Sequence, residues 1–226
     1  MINEIKKHHL FATPVYRAKI EPHLYNKAKI IKDIESNFAI TEDRNKLDGH
    51  LSASSYLHMH YDDEENTDFN SIDLDSLRPI YADYIQKFLT DIKLKDKDEE
   101  VSFKFEIVNY TASMSNNFMR AHNHIPSSDF ALCHYVQFEQ GIHSATVFSN
   151  PGKYIALHNK DVRKNYYDKL DHTHTENSNY HEFFELVTFE DDCFIFPGYL
   201  HHEIPRSKHK YNKLRIVVVC NIWMDA

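Results

Sequence analysis

The sequence predicts a mainly β protein, an antiparallel sandwich or barrel that is preceded by helices. After residue 100 the chain consists of short segments rich in aromatic and β-branched residues and separated by turns, which is typical of such folds. Before residue 93, two segments carry apolar residues at helical spacing. The 226 residues include only 4 glycines, and neither G-x-G-x-x-G nor G-x-x-x-x-G-K-[ST] occurs. A Gly-rich phosphate-binding loop is therefore excluded.

A strand and a helix are predicted first along the chain. Residues 10–20 (LFATPVYRAKI) are predicted to form a strand at a sheet edge or bulge, because Pro14 has no N–H to donate to a ladder. Residues 22–38 are predicted to form a helix with Pro22 in its first turn. The apolar residues that indicate this helix are Leu24, Ala28, Ile31 and Ile34.

A second helix is predicted over residues 73–92, with Asp73 or Asp75 as its N-terminal cap. We interpret its apolar and aromatic stripe as core packing. The stripe consists of Leu77, Ile80, Tyr81, Tyr84, Ile85, Phe88 and Leu89. The polar residues 40–70 are predicted to form a long irregular loop, and residues 93–100 (KLKDKDEE) a solvated turn.

The strand-rich part of the chain is predicted to form the core. Its strands are predicted in the segments VSFKFEIVNY, NFMRAH, FALCHYVQFE, SATVFS, FFELVTF, DCFIFPGYLHHEIP and KLRIVVVCNIW. Residues 150–182 are predicted to be an insertion or lid over one end of this core. We expect one domain over residues 1–226, in which residues 1–98 support the core at 99–226.

Charge and cysteine content limit the partners and the compartment. The 26 Lys and Arg against 34 Asp and Glu, a net charge of −8, argue against a protein that coats nucleic acid or an anionic membrane. Cys133, Cys193 and Cys220 lie far apart and form no C-x-x-C, so we predict neither disulfides nor a cysteine zinc site. This pattern favours a reducing compartment, the cytoplasm. We predict no signal peptide and no membrane span.

Two histidine motifs are candidates for metal binding. His122 and His124 are two residues apart, so on a strand their imidazoles project from one face and can share a metal ion. With 17 histidines in the chain, a pair of surface histidines is the alternative. A further histidine follows the Pro-Gly turn of residues 196–205 (FPGYLHHEIP), where a hairpin with exposed histidines is the alternative.

Arg215 stands inside an otherwise apolar strand, LRIVVVCNI. A buried arginine is costly unless it is paired with an anion or good acceptors, and its fork matches a carboxylate. Alternatively, this arginine lies on the solvent face or at the open end of its strand, paired with Asp or Glu.

The order of these motifs resembles the jelly-roll Fe(II)/2-oxoglutarate-dependent oxygenases, especially a subgroup common in bacteria and phages. The matching segments are 10–16 (LFATPVY), 122–128 (HNHIPSS), 134–136 (HYV), 196–202 (FPGYLHH) and the Arg-x5-Asn of 215–221. The resemblance implies a double-stranded β-helix (jelly roll, cupin-like) with N-terminal helices packed on one sheet. It also implies Fe(II), 2-oxoglutarate as co-substrate, O2, and hydroxylation with release of succinate and CO2. The substrate, a small molecule or a protein side chain, is not identified by the motifs.

The resemblance also implies the site residues. The implied metal ligands are His122, His124 and His202. The implied co-substrate residues are Arg215, for the distal carboxylate, with Asn109 and Tyr135 as helpers. Within the motif Leu-x-His-x-x-Pro the ligand is His202 rather than His201.

One departure from the family pattern leaves alternatives open. His124 stands where the family usually has Asp or Glu. Either the site has three histidines, or Asp129 completes it, or only one of His122 and His124 binds the metal. The competing functions are a three-histidine cupin-like metalloenzyme independent of 2-oxoglutarate, and a non-catalytic jelly-roll binding module.

Overall fold

Two antiparallel sheets account for most of the regular secondary structure in the part of the chain that the structure describes. The computed structural model describes residues 13–47, 58–60, 71–91, 102–115, 117–152, 169–171, 174, 177 and 181–225. In chain order the strands of this part are β1 Tyr16–Lys19, β2 His58–His60, β3 Ser102–Ser113, β4 Met119–His122, β5 Phe130–Gln137, β6 Val147–Ser149, β7 Phe183–Glu185, β8 Asp192–Pro197, β9 His202–Ile204 and β10 Arg215–Asp225. The six-stranded sheet has the order β1-β8-β5-β10-β3-β2, and the four-stranded sheet has the order β4-β9-β6-β7. The mainly β fold predicted from the sequence is confirmed.

The two sheets and the helices form successive layers. Helix residues such as Ile34 and Tyr81 pack with Ile195 and Val218 on the outer face of the six-stranded sheet. On its inner face lies a second apolar cluster, which Phe148 of the four-stranded sheet joins. Because side chains alternate along a strand, successive residues of β10 enter these two layers in turn.

Helix α1, Lys27–Leu47, differs from the helix predicted over residues 22–38. A short 3-10 turn at Pro22–Leu24 precedes it, and Tyr25 then adopts an extended conformation that separates the two. The Tyr25 hydroxyl donates a hydrogen bond to Asp191 (3.0 Å), so a contact with the distant turn before β8 accompanies this break. Ala28 and Leu24 are consequently exposed, and among residues 27–40 of the helix the buried ones are Ile30, Ile34, Asn37 and Phe38.

The prediction of an irregular loop over residues 40–70 is wrong where the structure describes it. Residues 40–47 continue α1, and β2 lies at His58–His60. No glycine or proline occurs between Pro22 and Gly49, so nothing in the backbone chemistry ends the helix earlier. The rest of this segment lies outside the described residues, as do the predicted turn at 93–100 and most of the predicted insertion at 150–182.

Helix α2, Arg78–Asp91, follows a 3-10 turn at Asp75–Leu77 and agrees with the second predicted helix. The predicted aspartate cap is wrong, because Leu74 occupies the capping position of that turn and Asp75 pairs with Arg78 (2.6 Å). The predicted apolar stripe is confirmed as core. Its buried members are Leu77, Tyr81, Ile85, Phe88 and Leu89, with Ile80 and Tyr84 partly buried against the same cluster.

Where the structure describes the first predicted strand (residues 10–20), from residue 13 onward, only Tyr16–Lys19 form a strand. β1 begins at Tyr16, two residues after Pro14, and its place at the edge of the six-stranded sheet is confirmed. Among the described residues, no helix is both long and apolar enough to span a membrane.

His134 on β5 makes the stability of the fold depend on pH. Its ring is fully buried under the helices, where Nδ1 lies 3.0 Å from the Tyr81 hydroxyl. Burial, and secondarily the charge of Lys27, lowers the pKa of His134 from 6.5 to about 3. The unfolded chain therefore binds a proton below pH 6.5 that the folded protein does not, and stability falls as the pH falls.

We expect this histidine to cost about 1.4 kcal/mol of unfolding free energy per pH unit between pH 6.5 and pH 4. The measurement is urea denaturation of the wild type and His134→Asn at pH 7.5, 5.5 and 4.5. The variant is expected to lose less stability than the wild type over this range. Equal losses in the two proteins would show that His134 is not the group responsible.

Candidate metal centre

Three imidazoles converge at one end of the space between the sheets. His122 and His202 are direct partners in the register of β4 and β9, and their ring centroids are 4.3 Å apart. His124 follows the end of β4, and its ring lies parallel to that of His202 at 5.3 Å. One ring nitrogen from each of the three lies within 4.8 Å of the others.

Each imidazole has an oxygen acceptor at Nδ1, which leaves Nε2 for a metal. Nδ1 of His122 lies 2.9 Å from the carbonyl oxygen of Arg120, and Nδ1 of His202 lies 2.9 Å from that of Leu200. Nδ1 of His124 lies 2.9 Å from Oδ1 of Asn221. Because a carbonyl oxygen only accepts, these contacts favour a proton on Nδ1 and a lone pair on Nε2.

Burial keeps two of the three rings neutral. It lowers the pKa of His202 to about 3, and the neighbouring His122 acts in the same direction. Burial also lowers the pKa of His124, although the hydrogen bond to Asn221 opposes this. Neutral imidazole is the form that binds a metal ion, so near pH 7 no proton competes at these two rings.

The donor set fits a borderline divalent metal ion. Imidazole nitrogen suits iron, zinc, copper and nickel, whereas magnesium and calcium prefer oxygen. At metal–nitrogen bonds of about 2.1 Å, neighbouring ligand nitrogens are roughly 3 Å apart, so small side-chain rotations would close this group on one ion. In addition, Nε2 of His124 is buried without a hydrogen-bond partner among the described residues.

The structure separates the alternative ligands from this group. Asp129 is exposed, and its Oδ2 accepts a hydrogen bond from the Met224 amide (2.9 Å). His201 is also exposed, and its Nε2 accepts from Nδ2 of Asn123 (2.9 Å). Among the described residues, the group that could hold a metal ion therefore contains three histidines and no carboxylate.

Gly198, in the turn that precedes His202, holds the loop of residues 123–129, which carries His124 and is called the ligand loop below. Its carbonyl accepts from the His124 amide (2.8 Å), and its amide donates to the Asp129 carbonyl (2.7 Å). A Cβ at this position would lie 2.3 Å from the carbonyl oxygen of Ser128, so only glycine fits without a backbone shift.

We expect Gly198→Ala to destabilise the protein by roughly 1–3 kcal/mol, the usual cost of overpacking. It should also weaken metal binding, because the backbone of the ligand loop has to move. Gly152→Ala is the matched control, since the nearest atom there is a side-chain oxygen at 3.3 Å in an exposed turn. Thermal unfolding and nickel titration of both variants give the comparison. Equal stability and equal nickel affinity in the two variants would contradict this prediction.

Arg215 is a buried cation without an acidic partner in the described part of the chain. The residue is 1% exposed. Its Nε donates to the Ser144 carbonyl (2.8 Å), and its guanidinium lies over the Tyr135 ring, 5.2 Å from the centroid. Neither terminal nitrogen has a hydrogen-bond partner among the described residues. The alternative of a solvent-facing arginine paired with an acid is therefore wrong.

Arg215 lies on the inner face of the six-stranded sheet, and the three imidazoles of the four-stranded side pack against the same face. Ala131, Phe196 and Asn221 are neighbours on β5, β8 and β10, and the Phe196 ring lies 4.9 Å from that of His202. The next neighbours in the direction of Arg215 are Cys133, Phe194 and Val219. Burial raises the pKa of the Cys133 thiol to about 12, and the nearby charge of Arg215 acts in the opposite direction.

The predicted helper residues lie on this inner face. Asn109 is buried and pairs with Val219 in the register of β3 and β10. Tyr135 contacts Arg215 through its ring, whereas its hydroxyl is hydrogen-bonded to Thr146 (2.5 Å). Their predicted role toward a co-substrate stays a prediction.

Two polar residues of this region were given no role from the sequence. Thr111 pairs with Val217 in register, and its buried hydroxyl has no hydrogen-bond partner among the described residues. Strand alternation from Asn109 is the signal that points to it. Asn221 contacts His124, and nothing in the local sequence indicates that contact.

Comparison with known proteins identifies similar structures but no similar sequence. No protein-family profile matches the chain, and no curated protein matches it. A 2OG-Fe(II) oxygenase family oxidoreductase from Burkholderia pseudomallei is 10% identical, with a TM-score of 0.40 over 68% of this chain and 60% of that one. IDO from Bacillus thuringiensis is 10% identical, with a TM-score of 0.37 over 70% of this chain and 62% of that one. HygX from Streptomyces hygroscopicus, solved with nickel and 2-oxoglutarate bound, is 10% identical, with a TM-score of 0.39 over 92% of this chain and 82% of that one.

The present chain thus spans less than two thirds of the length of the first two proteins.

Proposed function

We propose that this protein is an Fe(II)- and 2-oxoglutarate-dependent dioxygenase. The proposal includes a double-stranded β-helix core in a single domain over residues 1–226 and a cytoplasmic location. The substrate class we propose is a small molecule or a protein side chain, which is hydroxylated with release of succinate and CO2. The three free, buried cysteines are consistent with a reducing compartment.

Arg215 is the observation that carries this proposal. Burial of a guanidinium costs several kcal/mol, and among the described residues only the Ser144 carbonyl and the Tyr135 ring offset that cost. A carboxylate from outside the chain would satisfy both terminal nitrogens at once. The inner-face location of Arg215, in the layer that also holds the imidazoles, favours a ligand that binds a metal at one end and this arginine at the other.

Charge balance supports a dianion as that ligand. Three neutral imidazoles leave a divalent metal with its full double charge, and Arg215 adds a third positive charge. 2-Oxoglutarate brings two negative charges, one at each end. With Fe(II), 2-oxoglutarate and O2 bound, the centre would supply oxidative decarboxylation coupled to oxidation of a C–H bond.

The residues around the site suit such chemistry because they exclude water. The rings of Phe196 and Phe148 lie 4.9 and 6.1 Å from that of His202, and both phenylalanines are buried. An apolar wall of this kind protects a reactive centre from side reactions. His122, His124 and His202 would hold the metal, and Arg215 would orient the co-substrate.

Anaerobic spectroscopy tests the proposal. Addition of Fe(II) and 2-oxoglutarate to the metal-free protein should give a weak visible charge-transfer band that neither component gives alone. On admission of air, succinate should form even without the substrate, at a slow uncoupled rate. Absence of both the band and succinate would refute the proposed function.

A three-histidine metalloenzyme independent of 2-oxoglutarate is the second candidate. The missing carboxylate in the described metal-ligating group favours it. The two candidates differ in O2 consumption by the iron-loaded protein, which in the second would not depend on added 2-oxoglutarate. If the purified protein retains no metal after loading, the binding-module alternative is favoured instead.

A further inference from the structure

We propose that Asn221 is a positioning residue of the metal centre. It holds His124 with the proton on Nδ1 and the lone pair on Nε2, and it does so without adding negative charge. Metal binding then depends on the dianionic co-substrate more strongly than it would with a carboxylate in its place. This inference rests on the proposed metal site.

Asn221 connects the six-stranded sheet to the imidazole group. It lies on β10 opposite Ala131 of β5, and it is 9% exposed. Its Oδ1 is 2.9 Å from Nδ1 of His124, a residue 97 positions earlier in the chain. A side chain on one sheet thus sets the orientation of a ligand on the segment that follows β4 of the other.

The other two rings are held in a different way. His122 and His202 each contact a backbone carbonyl two residues earlier, at Arg120 and Leu200. Substitution of side chains leaves those acceptors in place. Of the three histidines, His124 is therefore the one whose Nδ1 contact, among the described residues, is made to another side chain.

Burial decides which nitrogen of His124 carries the proton. Nε2 is buried and has no hydrogen-bond partner among the described residues. A proton on Nε2 would be a buried donor without an acceptor among the described residues, which is unfavourable. A proton on Nδ1 is satisfied by Asn221, so this tautomer is favoured before any metal binds.

The amide of Asn221 also keeps the centre short of negative charge. Ligating histidines often donate to a carboxylate, which increases the basicity of the ring and its affinity for the metal. Here the acceptor is a neutral amide. Glu106, the register neighbour of Asn221 on β3, is exposed and lies outside the metal-ligating group. With a divalent metal bound, the positive charge is left for the co-substrate to balance.

Ring nitrogen spectroscopy tests the first part of the inference. In metal-free protein labelled with 15N-histidine, His124 is expected to show a protonated Nδ1 and an unprotonated Nε2 near neutral pH. Asn221→Asp should keep this pattern, because the acceptor remains. Asn221→Leu should lose it and give a mixture of tautomers. A protonated Nε2 in the wild type, or an unchanged pattern in Asn221→Leu, would overturn the assignment.

Metal titration tests the second part. Calorimetric titration with Ni2+ is expected to show 10- to 100-fold weaker binding in Asn221→Leu, roughly the range for loss of a residue that orients a ligand. Asn221→Asp should bind Ni2+ at least as tightly as the wild type without co-substrate, and should gain less affinity when 2-oxoglutarate is added. An equal gain in Asn221→Asp and the wild type would overturn the charge argument.

Asn37→Leu is the matched control. Asn37 is a buried asparagine on α1 that donates to the Tyr110 hydroxyl (3.2 Å) on the outer side of the sheet. Its substitution removes a comparable buried amide, and its Ni2+ affinity should stay within twofold of the wild type. A parallel loss of affinity in Asn37→Leu and Asn221→Leu would mean a general effect of destabilisation and would overturn the positioning role.

The two proposals fail in different ways. If the wild type binds no Ni2+, the metal centre and the proposed function are refuted, while the ring spectra still decide whether Asn221 selects the tautomer. If Ni2+ binds but Asn221 changes neither affinity nor tautomer, the proposed function stands and the role of Asn221 is refuted.

Discussion

His202→Ala is expected to lower the affinity for Ni2+ or Fe(II) by more than about 100-fold, beyond the range seen when only an orienting residue is lost. His202 is the most buried of the three proposed ligands, and its ring is nearer to each of the other two, at 4.3 Å from His122 and 5.3 Å from His124, than they are to each other. Its loss leaves two imidazoles, too few for a tightly held ion. Calorimetric titration of the metal-free protein gives the affinity.

His201→Ala is the control for this prediction. The residue is adjacent in sequence, but it is exposed and contacts Asn123 instead of the imidazole group. Its substitution should leave the metal affinity within about twofold of the wild type. If His201→Ala lost the metal and His202→Ala kept it, the assignment of the ligand would be reversed and the site geometry refuted.

Arg215→Met is expected to weaken 2-oxoglutarate binding by about 2–5 kcal/mol, the range for truncation of a buried charge pair. That corresponds to a loss of roughly 30-fold or more in affinity. Metal affinity without co-substrate should not fall, because Arg215 is not among the ligands. Titration of the metal-loaded protein with 2-oxoglutarate under anaerobic conditions gives both values.

A shorter co-substrate supplies the control for Arg215. 2-Oxobutyrate keeps the 2-oxo acid but lacks the distal carboxylate, so the wild type and Arg215→Met should bind it equally.

The stability of Arg215→Met provides a further comparison with the wild type. Removal of an unpaired buried charge should leave the free energy of unfolding unchanged or higher, by up to about 4 kcal/mol. Strong destabilisation together with unchanged 2-oxoglutarate affinity would assign Arg215 a structural role.

The strands and the helix face that could be predicted from the sequence are those indicated by the spacing of apolar residues a few positions apart. The strands after residue 100 and the stripe of α2 follow from the two- and 3.6-residue periods. The same rule failed for α1, because Leu24 and Ala28 continue the spacing but are exposed. There the contact between Tyr25 and Asp191 joins positions 166 apart, and no local pattern reports such a contact.

The candidate site was predictable to the extent that its chemistry is local. The i, i+2 spacing of His122 and His124 predicted that they project together, and their rings lie 5.7 Å apart, although β4 ends at His122 and His124 follows it. Whether Asp129 joined them could not be predicted, since an exposed loop can direct a carboxylate either way. Its contact with the Met224 amide depends on where β10 passes the loop. The contact between Asn221 and His124 likewise depends on the packing of the two sheets.

The sequence by itself determined the alternation of the strands, the apolar face of α2 and the need of Arg215 for a partner, because each depends on residues a few positions apart. Only the tertiary structure decided that His122 and His202 face each other across two strands, that no described carboxylate joins them, and that Arg215 is buried with no acidic partner among the described residues. The physical reason is that strand register and sheet packing are set by burial summed over the whole core. The polar residues of the site contribute little to that sum, so their positions are a consequence of it.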